Sequence, residues 1–223
     1  MVPNIPTSNP AEDLFRIHKV ITRGINVGMT KGSEYLQNGF PEPQILLGYT
    51  TYARSLASVL RAHHHGEDQV AFPILKIKLP SAPYDLLAAN HREMESLLVI
   101  IHQAIEDLSG DAPEDGMNVI VENLGKVWAI WKKHIFWEEL HFSKDAIGAV
   151  MDLEAQGELS ESMAKHSQEH SEPSYWVVPF VLFNLELEDR ISMAATFPPM
   201  VTNELVPKLW KEQWEPMKPF LLD

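Results

Sequence analysis

Apolar residues recur at intervals of three and four along most of the chain. Ala11, Leu14, His18, Ile21 and Ile25 form one stripe. Ala53, Leu56, Leu60, His63, Glu67 and Val70 form a second, ending near Phe72-Pro73. Leu87, His91, Met94, Leu98, Ile101, Ile105 and Leu108 make a third, and Leu124, Val127, Trp131, His134 and Glu138, then His141 or Phe142, a fourth. This spacing puts each set on one face of a helix. Pro41 and Pro43, the connector 73–83 with Pro73, Pro80 and Pro83, and the polar break Gly110 to Gly116 separate the stripes. No window alternates as a strand does, and no repeat of solenoid period occurs. The pattern predicts an all-α protein, an up-down-up-down four-helix bundle.

The stripes place the bundle over 11–150. Residues 1–10, with three prolines, read as an extended arm. Residues 151–223 form a C-terminal extension, polar over 152–172 and apolar beyond, where seven of the sixteen prolines lie. Short helical patterns fall around 175–195, 200–213 and 214–222. About 50 residues make a poor independent core, so the extension is expected to pack on the bundle.

Composition narrows the chemistry. With no cysteine, disulfides, thiolate zinc sites, iron–sulfur clusters and a cysteine nucleophile are excluded. A net charge of −13 argues against nucleic acid and against a polybasic membrane anchor. No signal peptide or transmembrane stretch is evident, and the chain reads as cytoplasmic. Ten histidines, however, are an unusual number for 223 residues.

Each predicted helix carries one histidine on its apolar stripe: His18, His63, His91 and His134. A lone buried histidine is ordinarily a satisfied core residue. Four of them, one per helix, ask for a common partner, because an unpaired buried imidazole is costly. Their separations of 45, 28 and 43 residues are long, short and long, as expected where one layer crosses an antiparallel bundle off-centre. Two have a carboxylate one turn on, His63-x-x-x-Glu67 and His134-x-x-x-Glu138, so each pair can address one centre. His64 lies 100° from His63 with Glu67 between them, and Glu95 sits one turn beyond His91 on the inner side. Five histidines and two glutamates exceed the needs of one ion. Nitrogen and oxygen donors without sulfur suit Fe, Mn or Zn, and iron with an open position binds dioxygen.

Other readings are weaker. A ferritin-like site needs Glu-x-x-His on two helices, and only Glu138-x-x-His141 matches. A bundle of structural histidines without metal leaves their levelling unexplained. His65, His102 and His141 lie off the stripe. His166 and His170, in the polar stretch, read as solvated, as does the acidic run Glu154 to Glu161. Trp128, Trp131, Phe136 and Trp137 read as core, with Trp131 one turn below His134 and able to wall a pocket.

The order His, His-x-x-x-Glu, His, His-x-x-x-Glu over four helices resembles the hemerythrin-like (HHE cation-binding) family. "HHHGEDQVAFPIL" and "HIFWEELHF" are similar to its second- and fourth-helix motifs. The resemblance spans roughly residues 11–145. It implies a non-haem di-iron site, two Fe ions or an Fe/Mn mixture, held by His18, His63, Glu67, His91, His134 and Glu138, with both glutamates bridging. For the seventh ligand it offers His64, which we favour, or a group at the position of Glu95. The implied function is binding of dioxygen or a related small molecule for carriage, storage or sensing. A di-iron oxidase or oxygenase with a substrate pocket roofed by the extension is the alternative, and iron storage or sensing the second.

Overall fold

The computed structural model describes residues 9–108, 110 and 113–223, and those residues form an all-helical protein. Helix α1, Pro10–Asn38, starts where the Asn9 side chain accepts from the amides of Ala11 and Glu12, with Pro10 in the first turn. Most of the expected N-terminal arm lies outside the described residues. Helix α2, Pro43–Gly66, returns antiparallel to α1.

The chain does not end its second helix at Pro73, as the sequence led us to expect. A π-helical turn, Glu67–Ala71, leads into α3, Phe72–Lys78. The Phe72 amide reaches back five residues to the Glu67 carbonyl, so the ladder widens just before Pro73. That widening accommodates a residue with no amide hydrogen and a bulky ring.

Helix α4, Tyr84–Asp107, and α5, Pro113–His141, complete the up-down-up-down bundle. Helix α5 begins inside the expected break, at Pro113 rather than after Gly116. Pro113 opens it, with Glu114 and Asp115 favouring the helix N-terminus. Gly116 marks close packing rather than a break, since a Cβ there would stand 2.8 Å from the Ala104 carbonyl oxygen.

Short helix α6, Lys144–Val150, then turns the chain back. The polar stretch forms a helix, α7, Leu153–His170. Gln156, Leu159, Ser160 and His166 make its buried face. It lies on α1, α2 and the wide turn, through Asn9 to Gln156 (3.1 Å) and His166 to Gln69 (3.2 Å). His166 is therefore buried, not solvated. Its burial escaped the pattern because this face is mostly polar, with Leu159 its one large apolar residue.

Helices α8, Ser174–Phe183, and α9, Leu187–Ala194, divide the expected 175–195 helix at Asn184. A π-helical stretch, Val201–Leu209, helix α10, Lys211–Trp214, and a 3-10 turn, Glu215–Phe220, follow. This tail rests on α2 around Tyr49, Tyr52 and Ser55, where Met217 and Phe220 are buried. Gly48 makes the contact possible, because a Cβ would collide with the Pro216 carbonyl. Among the described residues no helix is long and apolar enough to cross a membrane.

Candidate metal centre

All four bundle helices bring a side chain to one level. His18 comes from α1, His63 and His64 from α2, Glu67 from the wide turn, His91 from α4, and His134 and Glu138 from α5. Each is at most 5% exposed. Their donor atoms fall into three overlapping groups: His18, His63, Glu67 and Glu138; Glu67, His91, His134 and Glu138; and His64, His91 and His134. The two carboxylates belong to both sides. Glu67 Oε2 lies 3.4 Å from His63 Nε2 and 3.3 Å from His91 Nε2. Glu138 Oε2 lies 3.2 Å from both His18 Nε2 and His134 Nε2.

His91 Nε2 and His134 Nε2 are in hydrogen-bond contact at 3.2 Å, but most of the converging atoms have no such partner. Nε2 of His18 and His63, both ring nitrogens of His64, Oε2 of Glu67 and both oxygens of Glu138 are buried without a hydrogen-bond partner. Orphaned donors of this kind are rare and costly. Nitrogen and oxygen lone pairs converging from four helices fit a metal ion, which would compensate all of them at once. The sharing of Glu67 and Glu138 suits two adjacent positions.

The electrostatics divide the rings, with His63 and His64 held neutral and His18 and His91 holding a proton that a metal would displace. Burial, and next the neighbouring His18, hold His63 well below the usual imidazole pKa; burial and His91 do the same for His64. Both are thus neutral and ready to ligate. Burial also opposes protonation of His18, but Glu138 and Glu139 outweigh it and raise His18 to about 9. In His91, Asp68 and Glu67 outweigh burial in the same way, to about 9. Burial and the Glu138 charge push Glu67 up to about 8, while His134 and His18 overcome burial and hold Glu138 well below the usual carboxylate range. Two buried carboxylates around one set of imidazoles titrate as a pair.

Aromatic rings close the centre. Trp131, fully buried, has its ring 5.3 Å from His18 and 5.8 Å from His63 and His134, and its Nε1 donates to Thr22 Oγ1 at 2.9 Å. On the other side Phe72 stacks on His91 at 5.7 Å.

A family model for the hemerythrin HHE cation binding domain matches residues 9–146. The chain belongs to the hemerythrin HHE cation-binding family. Searches of curated proteins and of solved structures find no match. Within this hemerythrin-like domain, a metal-binding one, the histidine and glutamate positions read from sequence meet at one centre, apart from Glu95. Both Glu95 oxygens instead accept from Arg61 Nε, at 2.9 and 3.1 Å, at the surface between α2 and α4. Phe136 and Trp137, expected in the core, are exposed at 58% and 37%, because Phe136 lies on the side of α5 away from His134 and Trp137 on the flank of the buried stripe.

Two residues that sequence reasoning missed touch the centre's rim. Asp68 accepts from His91 Nδ1 and Glu139 from His18 Nδ1, each at 3.0 Å. The signal was present, since in both motifs an acid directly follows the motif glutamate, Glu67-Asp68 and Glu138-Glu139.

Proposed function

We propose that the protein is a non-haem di-iron protein that binds dioxygen or a related small ligand for carriage, storage or sensing. One observation carries the reading: two groups of buried donors share the same two carboxylates. In this assignment His18 and His63 hold one iron, His64, His91 and His134 hold the other, and Glu67 and Glu138 bridge. His64, not Glu95, is the seventh ligand. A bound iron pair supplies two electrons at adjacent ions for reversible binding of dioxygen.

The chain's own residues contribute the rest. With metal bound the five imidazoles would be neutral and would outnumber the two carboxylates, which favours the ferrous state. The His18 and His63 side offers one imidazole fewer, beside the Trp131 ring, and a metal held there would be left room for a small ligand. Trp131 and Phe72 keep bulk water from the imidazoles.

The position of α8, in the apolar part of the extension, argues against an organic substrate pocket roofed by that part. Phe180 meets Gly24 and Leu56, six and seven residues along their helices from His18 and His63. At about 1.5 Å per residue that is roughly 10 Å away, and Trp131, bonded to Thr22, fills the intervening level.

Metal analysis of protein loaded anaerobically with ferrous ion tests the reading. About two irons per chain are expected, with manganese quantified alongside, and His63→Ala should drop the count below one. The absorbance change on adding oxygen should reverse when its pressure falls. Less than one ion per chain, unchanged by His63→Ala, would refute the site, and irreversible oxidation would refute carriage.

A further inference from the structure

The two segments that bring a glutamate to the centre hold the two helices that bring only a histidine. Asp68, on the wide turn after α2, reaches across to His91 of α4, and Glu139 of α5 reaches across to His18 of α1. In each case the acid follows a proposed bridging glutamate and takes hold of the one histidine that the neighbouring helix brings to the centre. Building on the di-iron reading, we propose that Asp68 and Glu139 are positioning residues, which fix the His91 and His18 rings with Nε2 toward the metals and whose charge stabilises the oxidised metal pair.

Three observations carry this. Once a metal displaces the proton at Nε2, the atom that faces Glu67 in His91 and Glu138 in His18, the carboxylate at Nδ1 holds the one remaining ring proton and fixes the ring. The arrangement is also selective. Nδ1 of His64 and of His134 has no partner, so carboxylates are not spread over every ring. His18 and His91 fall in opposite donor groups, which gives each metal position one outer carboxylate.

Charge completes the argument. Glu67 and Glu138 alone leave two divalent ions with two uncompensated positive charges, and Asp68 and Glu139 balance them. Further charge on the metals is then opposed less, which lowers the potential at which they are reduced. The outer carboxylates can do this cheaply, because their side chains are 36% and 41% exposed while the rings they hold are 3% and 2% exposed. That exposure also means that substituting them leaves the core packing intact.

The test uses four single variants of the full chain. Asp68→Asn and Glu139→Gln keep an acceptor but lose the charge, whereas Asp68→Ala and Glu139→Ala lose both. Three quantities are measured: iron affinity by chelator competition, the midpoint potential of the loaded protein, and metal-free melting. Alanine should lower iron affinity about 10–100-fold. Asn and Gln should raise the midpoint potential, with metal-free melting unchanged. Wild-type iron affinity and potential in all four variants would overturn the assignment, as would lower metal-free melting with an unmoved potential, the mark of a merely structural role. Wild-type protein that takes up less than one iron per chain overturns the di-iron reading, and this assignment with it. Normal wild-type loading with unmoved variants overturns the assignment alone.

Discussion

Two regions of the molecule bury polar groups, and they treat them oppositely. Where the tail docks, Arg23 Nη1 donates to Asn184 Oδ1, to the Phe220 carbonyl (2.7 Å) and to Tyr52 Oη (3.3 Å). Tyr52 donates to Asn184 Oδ1 at 2.7 Å, and Asn184 Nδ2 donates to the Phe180 carbonyl at 2.8 Å. That knot is closed by the chain's own atoms. One to three turns away, the histidine–glutamate centre leaves most of its buried donors unpaired. The same chain can satisfy a buried polar cluster when the cluster serves only the fold. An unsatisfied one at the meeting point of four helices therefore signals a partner from outside the chain.

The largest expected effect separates the two regions by metal. Loading should stabilise the wild-type protein by about 2.7 kcal/mol at a hundredfold excess of free metal over its Kd, seen as a melting shift that chelator reverses. Glu67→Gln should remove most of that gain. In metal-free protein the same substitution should melt no lower than wild type, because it removes one of two crowded buried carboxylates. A Glu67→Gln variant that is weaker without metal and equally stabilised with it would show that the centre is closed like the knot.

Next comes the tail. Gly48→Ala drives a methyl into the Pro216 carbonyl and should cost about 3 kcal/mol, the upper part of the overpacking range, as the 3-10 turn lifts from α2. Asn184→Ala opens the knot and leaves Tyr52 and Arg23 each short of a partner, at about 2 kcal/mol. Denaturant melts should give the same losses with and without metal, and iron content should stay at the wild-type value. Iron lost with the tail would show that the regions are coupled. Trp131→Phe keeps a ring against the imidazoles but loses the bond to Thr22 and part of the buried ring volume, at about 1–2 kcal/mol.

The centre was more legible in the sequence than its surroundings. Four histidines at one level of an antiparallel bundle obey arithmetic that helix rise alone imposes. Local rules could not see what depends on neighbours across space. The helical continuation past Pro73 rests on a widened turn, and the start of α5 on Gly116 meeting α4. The burial of His166 depends on α2 and Gln69 across from it. Asp68 and Glu139 were missed for a related reason. They stand outside the apolar stripe, where an acid ordinarily means a solvated face, and only the neighbouring helix gives them a histidine to hold.

Glu95 carries the smallest effect and tests how sharply the centre is bounded. It lies one turn beyond His91, so helix geometry alone makes it a candidate for the same level. Its carboxylate, though, is 36% exposed and paired with Arg61 of α2, itself 36% exposed. A pair that water can reach is screened and is worth about 0–1 kcal/mol. Glu95→Gln should therefore shift unfolding by less than about 1 kcal/mol, and by less still as ionic strength rises. Iron content and affinity should match the wild-type protein. His64→Ala, one turn of reasoning away on α2, should instead lower iron affinity, because its unpaired ring nitrogens face the centre. If Glu95→Gln lost iron while His64→Ala kept it, the boundary between the unsatisfied cluster and the satisfied surface would lie on the other side of α4.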